Sequence, residues 1–464
     1  MNSPEAQELT SLSAAELALL IRAREVSPVE VAEAHLRRIE EVNQTLNAVV
    51  TLAPDVLQRA REAEAAVARG GPSGELWGVP VTVKDTVDVR GVRTACGSRV
   101  RADYVPAEDA PAVARLRAAG ALILGKTNCP EFALDYTSEN PVFGRTNNPH
   151  DLERTPGGSS GGCAAAVAAC MTAGSLGSDL AGSIRIPAHF CGVAGLKPTA
   201  GRVPRGGHMP PMSGLHSLGA TLGPLARTVE DLTLFYGILS GESTARETLK
   251  GARVAFYVGD DVTAETRAAV GSAARALKDA GLEVEEEVPP GVFEATNLWL
   301  PLFEYATQRF VRGTYVGREE EAGRAARVIL ERAGRWGEPP LEKILAAWEE
   351  RDRVRETLLR WMERTPLFVA PVGATPAFRH EEFGRVEVGG RSVPTFRAFS
   401  DAHAANVYDL PAASVPAGRD ASGLPVGVQV VGRPHDERRV LEAAKVIEEA
   451  LGGWRPPPET LPKA

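Results

Sequence analysis

Two glycine-rich blocks govern how this chain is read. One is Thr155-Pro156-Gly157-Gly158-Ser159-Ser160-Gly161-Gly162. The other is Gly177-Ser178-Asp179-Leu180-Ala181-Gly182-Ser183-Ile184-Arg185-Ile186-Pro187-Ala188. Gly157 to Ser178 carries no charged residue, a run long enough to span a bilayer. Its composition is wrong for lipid, because Gly, Ser and Ala dominate it and large aliphatics are nearly absent. It reads instead as a buried, Ala-rich helix to about Ala173, with a second glycine-rich turn from Gly174 to Ser183. Ser159 and Ser183 stand 24 residues apart.

Upstream, Gly78-Val79-Pro80-Val81-Thr82-Val83-Lys84-Asp85 ends in apolar–polar alternation, the mark of a strand. Val81 and Val83 face one side, so Thr82 and Lys84 face the other. Ser13 with Glu16, and Ser27 with Glu30, form capping boxes, the second with Pro28 at the first helical position. Val29, Ala32, Leu36 and Ile39 then keep helical spacing. Ala112 to Ala119 reads as a helix and Ala121 to Leu124 as a buried strand. Downstream, strands are expected at Arg253–Tyr257, Leu282–Val284, Leu367–Val372 and Val426–Val431. Helices are expected at Thr263–Ala280, through much of Glu294–Arg364, and at Glu437–Leu451. Strands alternating with helices indicate an α/β fold.

Two motif matches fail in context. Gly120-Ala121-Leu122-Ile123-Leu124-Gly125-Lys126-Thr127 satisfies the phosphate-loop pattern literally. A phosphate cradle needs a strand before the first glycine and exposed backbone after it. Here a helical segment precedes Gly120, and the intervening residues are apolar. Gly157-Gly158-Ser159-Ser160-Gly161 satisfies G-x-S-x-G, but a nucleophile elbow needs a strand running into the turn. Asp151 to Pro156 is polar and ends in proline. His189, His208, His216 and His403 cannot be paired with a serine from sequence. No His/Cys cluster has metal-ligand spacing, so no metal is expected. Cys129, Cys163, Cys170 and Cys191 surround the region and read as small buried residues rather than nucleophiles.

The chain's 464 residues suggest about three domains at roughly 150 residues each. Apolar residues make up 44% and charged residues 24%, which excludes wholesale disorder. The net charge of −8 argues against a broad electrostatic grip on nucleic acid or an anionic membrane. Five cysteines, clustered from Cys96 to Cys191, do not make a disulfide framework. That odd, clustered set reads as reduced thiols, so a cytoplasmic location is expected, and Met1 to Gln7 shows no basic-then-apolar signal pattern. The 46 glycines and 34 prolines exceed the usual share and point to backbone-shaped sites.

Taken with Lys84, the two blocks and the continuation Phe190-Cys191-Gly192-Val193-Ala194-Gly195-Leu196-Lys197-Pro198-Thr199, the sequence resembles the amidase signature family. The 24-residue serine spacing is that of the family pattern. The resemblance also takes in Lys126-Thr127-Asn128, Asn147-Asn148-Pro149, Leu222 to Asp231 and Gly423 to Gln429. It implies a single α/β/α sandwich around a large mixed β-sheet covered by helices, spanning residues 1–464. Residues 244–397 form a variable, substrate-shaping region within it.

By the same resemblance, catalysis uses a Ser–Ser–Lys triad. Ser183 is the nucleophile, Ser159 the bridge on a cis peptide, and Lys84 the base. Leu180, Ala181, Gly182 and Ser183 form the oxyanion turn, while Ser160, Asp179 and Arg185 support the loops. No cofactor is implied. Leu180 and Ala181 depart from the family's common residues. An alanine costs of order 1 kcal/mol if position 181 takes positive φ, so negative φ is expected there. Leu180 is expected to alter the turn's packing rather than its donors. Glu294–Arg364, Arg205–His216 and Phe399–Tyr408 should frame the substrate pocket.

The implied activity is hydrolysis of small carboxylic amides, with ester hydrolysis as a side activity and a homodimer left open. The alternative is the glutaminase component, the A subunit, of a tRNA-dependent amidotransferase. Ile186-Pro187 after Arg185 favours the amidase, because that component typically has a polar residue after the arginine. A catalytically silent binding protein is the third reading.

Overall fold

The strand ending at Lys84 lies third from one edge of a large mixed sheet. A computed structural model describes residues 6–69, 74–243, 245 and 247–458. Residues 1–5, which carry most of the N-terminal reading, and residue 244, the expected start of the variable region, lie outside the described residues.

Eleven strands of the described residues form the sheet: β1 (Val49–Leu52), β2 (Pro80–Lys84), β3 (Leu122–Thr127), β4 (Gly174–Asp179), β5 (Ala194–Lys197), β6 (Thr221–Ala226), β7 (Arg253–Phe256), β8 (Glu283–Glu286), β9 (Leu367–Pro371), β10 (Ala412–Arg419) and β11 (Pro425–Gly432). Their order is β1-β3-β2-β4-β6-β5-β10-β11-β9-β7-β8. β2 runs parallel to both β3 and β4, and β7 runs parallel to both β8 and β9. The other neighbours are antiparallel.

Both capping boxes form, with Ser13 and Ser27 accepting from the N–H groups of Glu16 and Glu30. The expected downstream strands and helices are present within a residue or two at most ends. The reading around Gly174 needs correction. The Ala-rich helix is only Gly161–Ala168, and Gly174–Asp179 is a buried strand rather than a turn. Its small residues answer to close packing. A Cβ on Gly174 would meet the Phe235 ring at 2.3 Å, and one on Gly177 would meet Ser160 Oγ at 2.9 Å. β1, β5, β6 and β10 have no counterpart in the sequence pattern.

Leu122–Thr127 is a fully buried strand that runs through the literal phosphate-loop match. Lys126 is buried within it and donates to Val87 O and Thr94 Oγ1, which leaves no phosphate cradle. No helix among the described residues is long and apolar enough to cross a membrane.

Because β2 and β4 are parallel, their C-terminal ends lie side by side. Val83 pairs with Leu176, so Lys84 finishes beside Gly177, and β4 runs on to Ser178 and Asp179. The helix Gly161–Ala168 starts just after Ser159 and Ser160, which brings its N-terminal turn to the same end of the sheet.

Candidate active site

Alternation along β2 puts Lys84 on the face where three serines converge. Its Nζ lies 2.6 Å from Ser159 Oγ, and 3.0 Å from both Ser160 Oγ and Ser178 Oγ. Lys84 is fully buried, and burial lowers its pKa from 10.5 to about 8, against smaller opposing effects from Cys129, Cys163 and Asp179. At about pH 7 roughly a tenth of the amine is then neutral, and the fraction rises toward pH 8, as a general base requires. Ser159 follows a cis Gly158–Ser159 peptide.

The turn after β4 is built on one ion pair. Asp179 and Arg185 are completely buried and 3.0 Å apart. Asp179 accepts from the N–H groups of Gly182 at 2.8 Å and Ile184 at 3.1 Å. Burial alone would raise its pKa, but the Arg185 guanidinium holds it well below the ordinary carboxylate range. Arg185 also donates to Ala402 O, Gln429 Oε1 and Asn406 Oδ1.

The turn thereby acquires a fixed shape. Positive φ falls on Gly182, at +96°, and not on Ala181. A Cβ at Gly182 would meet Ile186 Cδ1 at 2.7 Å and Ala402 Cβ at 2.8 Å. Ala181 is therefore free of left-handed strain, as expected. The Gly182 N–H, expected among the oxyanion donors, already serves the Asp179 carboxylate. The N–H groups of Leu180, Ala181 and Ser183 make no hydrogen bond to other described residues. The Leu180 side chain packs with a second core cluster, and its carbonyl accepts from Trp299 Nε1 at 2.9 Å.

Ser160 joins the two turns. Its N–H donates to Ser183 O at 3.1 Å, and its hydroxyl donates to Ser178 O at 3.2 Å. Ser183, 8% exposed, shares a cavity of about 490 Å³ with Ser159. The Ser183 hydroxyl makes no hydrogen bond to other described residues.

Leu180, Met212, Trp299, Val328, Ile329 and Phe396 make much of the cavity wall apolar. Glu294–Arg364 and Arg205–His216 contribute lining residues, as expected. Phe399–Tyr408 does not. It lies one layer behind, where Asn406 and Ala402 hold Arg185, and Pro394–Phe396 line the cavity in its place. Leu134–Tyr136 also line it, without a signal in the sequence.

None of the four histidines bonds to Ser159 or Ser183 in the described structure. His189 accepts from Gly427 N, His216 meets Thr307, His403 meets Tyr136 and Thr296, and His208 meets Ser178. Burial pushes the Cys96 thiol up to about 12 and also raises Cys129, Cys163 and Cys191, the opposite of what a thiolate nucleophile needs. No group of His, Cys, Asp and Glu among the described residues is placed to hold a metal ion. The arrangement can lower the barrier to proton removal from a serine and place that serine against a carbonyl carbon.

Residues 30–441 match the Amidase family model. The A subunit of the glutamyl-tRNA(Gln) amidotransferase of Carboxydothermus hydrogenoformans is 36% identical over 95% of this chain and 98% of that protein. A solved amidase structure superposes with a TM-score of 0.86 at 30% identity, over 95% of this chain and all of that one. The 6-aminohexanoate cyclic dimer hydrolase in complex with substrate gives 0.85 at 29% identity, over 98% of this chain and all of that one.

Proposed function

This chain belongs to the amidase family, and on that premise we propose that it cleaves carboxylic amides through an acyl-enzyme on Ser183. Neutral Lys84 takes a proton through Ser159 as Ser183 attacks the amide carbonyl. The N–H groups of Leu180, Ala181 and Ser183 receive the oxyanion; one such donor is typically worth about 3–4 kcal/mol. The relay then returns the proton to the leaving amine, and water releases the acid. The observation that carries the reading is Lys84 Nζ among three serine hydroxyls beneath the cavity that holds Ser183.

The apolar wall favours aryl or aliphatic acyl groups. We take residues 1–464 as one domain, because one sheet draws its strands from Val49 to Gly432. Lining residues Trp299, Ile329 and Arg332 support a substrate-shaping role for the 244–397 region.

A second reading, the glutaminase component of a tRNA-dependent amidotransferase, is supported by the relatives better than plain amide hydrolysis is, and two observations favour it. The relative from Carboxydothermus matches end to end. Glu304 and Arg332, 3.6 Å apart on the cavity wall, are the pair a zwitterionic amino-acid head would meet. Ile186 no longer separates the readings, since it is fully buried in an aromatic cluster and lines no part of the cavity.

The test is turnover of short, long and aryl amides beside glutamine, the last with and without the other components of an amidotransferase. Lys84→Ala and Ser183→Ala serve as controls. Turnover of apolar amides by the chain alone supports the hydrolase. Glutamine turnover that rises with those components, with the apolar amides inert, selects the second reading. Undiminished turnover in either variant refutes the mechanism.

A further inference from the structure

His208 lies outside the Ser–Ser–Lys chain yet joins it. Its Nδ1 is 2.7 Å from Pro210 O, and its Nε2 is 3.1 Å from Ser178 Oγ. A carbonyl oxygen only accepts, so Nδ1 carries the hydrogen. Burial lowers the His208 pKa to about 3, which keeps the ring neutral and leaves Nε2 as a bare lone pair. The Ser178 hydroxyl therefore donates to His208, and its oxygen is left to accept from Lys84.

Ser160 is committed in the same sense. Its hydroxyl donates to Ser178 O at 3.2 Å, so its oxygen also accepts from Lys84. A neutral lysine amine has two N–H groups and one lone pair. Ser160 and Ser178 take the two N–H groups. The lone pair is left for Ser159 Oγ, the shortest contact at 2.6 Å.

We infer that His208 is a positioning residue that sets the direction of the proton relay, by holding the Ser178 hydroxyl away from the Lys84 lone pair so that Ser159 alone donates to it. The inference rests on the acyl-enzyme reading above. With Ser159 donating to Lys84, its oxygen is left to accept from the Ser183 hydroxyl when that hydroxyl turns toward it. One proton then moves from Ser183 to Ser159 as another moves from Ser159 to Lys84, which becomes the ammonium. Ser183 is left with the electron pair that forms its bond to the carbonyl carbon. Without His208, the Ser178 hydroxyl turns toward the same lone pair and competes with Ser159.

The test reads the labelling rate of Ser183 by an alkyl fluorophosphonate, which needs no knowledge of the substrate. His208→Phe keeps a ring and loses the acceptor. It should slow labelling about tenfold, the scale of one misdirected proton-transfer partner. His208→Gln restores an acceptor and should stay within about threefold of the parent. In a Ser178→Ala background no competing hydroxyl remains, so His208→Phe should cost nothing further. Parental labelling in His208→Phe overturns the inference. So does a loss that adds in full to that of Ser178→Ala, which is also what a misfolded variant would give. If instead Lys84→Ala labels at the parental rate, the acyl-enzyme reading itself fails, whatever His208 does.

Discussion

The floor of the cavity and its wall are built by different physics. The floor, from β2 to the turn after β4, is polar and buried: Lys84, Asp179 and Arg185 are all shut away from water, each with named partners. The wall, from Trp299 to Arg332 with Pro394–Phe396, is largely apolar apart from the Glu304–Arg332 pair and reaches the surface, with Leu300 41% exposed. On the floor every donor needs a specific acceptor, because an unmatched buried polar group is costly. On the wall, shape and apolar area are enough, and substitution is tolerated. On the proposed function the floor fixes the chemistry, and the wall is free to set which acyl group is held.

The largest expected effect lies on the floor. On the proposed mechanism Ser183→Ala removes the nucleophile and Lys84→Ala the base, so each should lower kcat/KM roughly a thousandfold or more. The folded state should persist by circular dichroism. The pH dependence has a definite sign. Lys84 must be neutral to accept a proton and its pKa is lowered to about 8, so kcat/KM should rise with pH and level off above about 8. A rate that falls over that range would exclude Lys84 as the base.

Next comes the pair beneath the turn. Asp179→Asn leaves Arg185 charged, buried and without its carboxylate, a class of change that costs about 3–5 kcal/mol. Equilibrium denaturation should show this loss, together with a loss of activity as the oxyanion turn relaxes. The folded-state pKa of Asp179 lies below its unfolded value. Its stabilisation is therefore present above about pH 4, the ordinary carboxylate value, and is lost as pH falls through the depressed one. Asp179→Asn should blunt that acid-side decline.

The same contrast explains what sequence reasoning can reach. The face that Lys84 takes is accessible to it because strand alternation is a local, two-residue pattern, while its role comes from the family resemblance. The serines and the Asp179–Arg185 turn are accessible because each lies within one short motif. β4 reads as a turn because Gly174, Ser175, Gly177 and Ser178 are turn formers by propensity. They serve a strand because Phe235 and Ser160 leave no room for larger side chains. β5, β6 and β10 are buried or nearly so along their length and show no alternation to read. Asn406 and Gln429 reach Arg185 from more than 200 residues away, a proximity set only by the order of the sheet. Wall positions carry no motif, so sequence points to Phe399–Tyr408 where the structure uses its neighbour, Pro394–Phe396.

A smaller effect is expected on the wall, and of a different kind. Ile329 is 6% exposed, lines the cavity with Phe132, and belongs to the core cluster that also holds Val311. Ile329→Ala should leave kcat nearly intact and change the ratio of kcat/KM between a short and a long acyl amide. The worth of such pocket contacts is about 1–3 kcal/mol, or roughly 10- to 100-fold. A uniform fall in kcat for both amides would mean that the wall takes part in the chemistry.

Trp299 is where that division is weakest, because it belongs to both regions. Its ring packs on Phe396 with centroids 5.0 Å apart, as a wall residue does, yet its Nε1 donates to Leu180 O in the proposed oxyanion turn. That carbonyl belongs to the same peptide plane as the Ala181 N–H, so the hydrogen bond fixes the direction in which one oxyanion donor points. Trp299→Phe keeps an aromatic ring and removes the donor. The loss of one such bond is worth about 1 kcal/mol, so kcat should fall about fivefold with KM little changed. A change in KM alone would make Trp299 a wall residue only. A fall in kcat would show that the turn is aimed in part from the wall, so that substitutions near Trp299 adjust rate and acyl preference together.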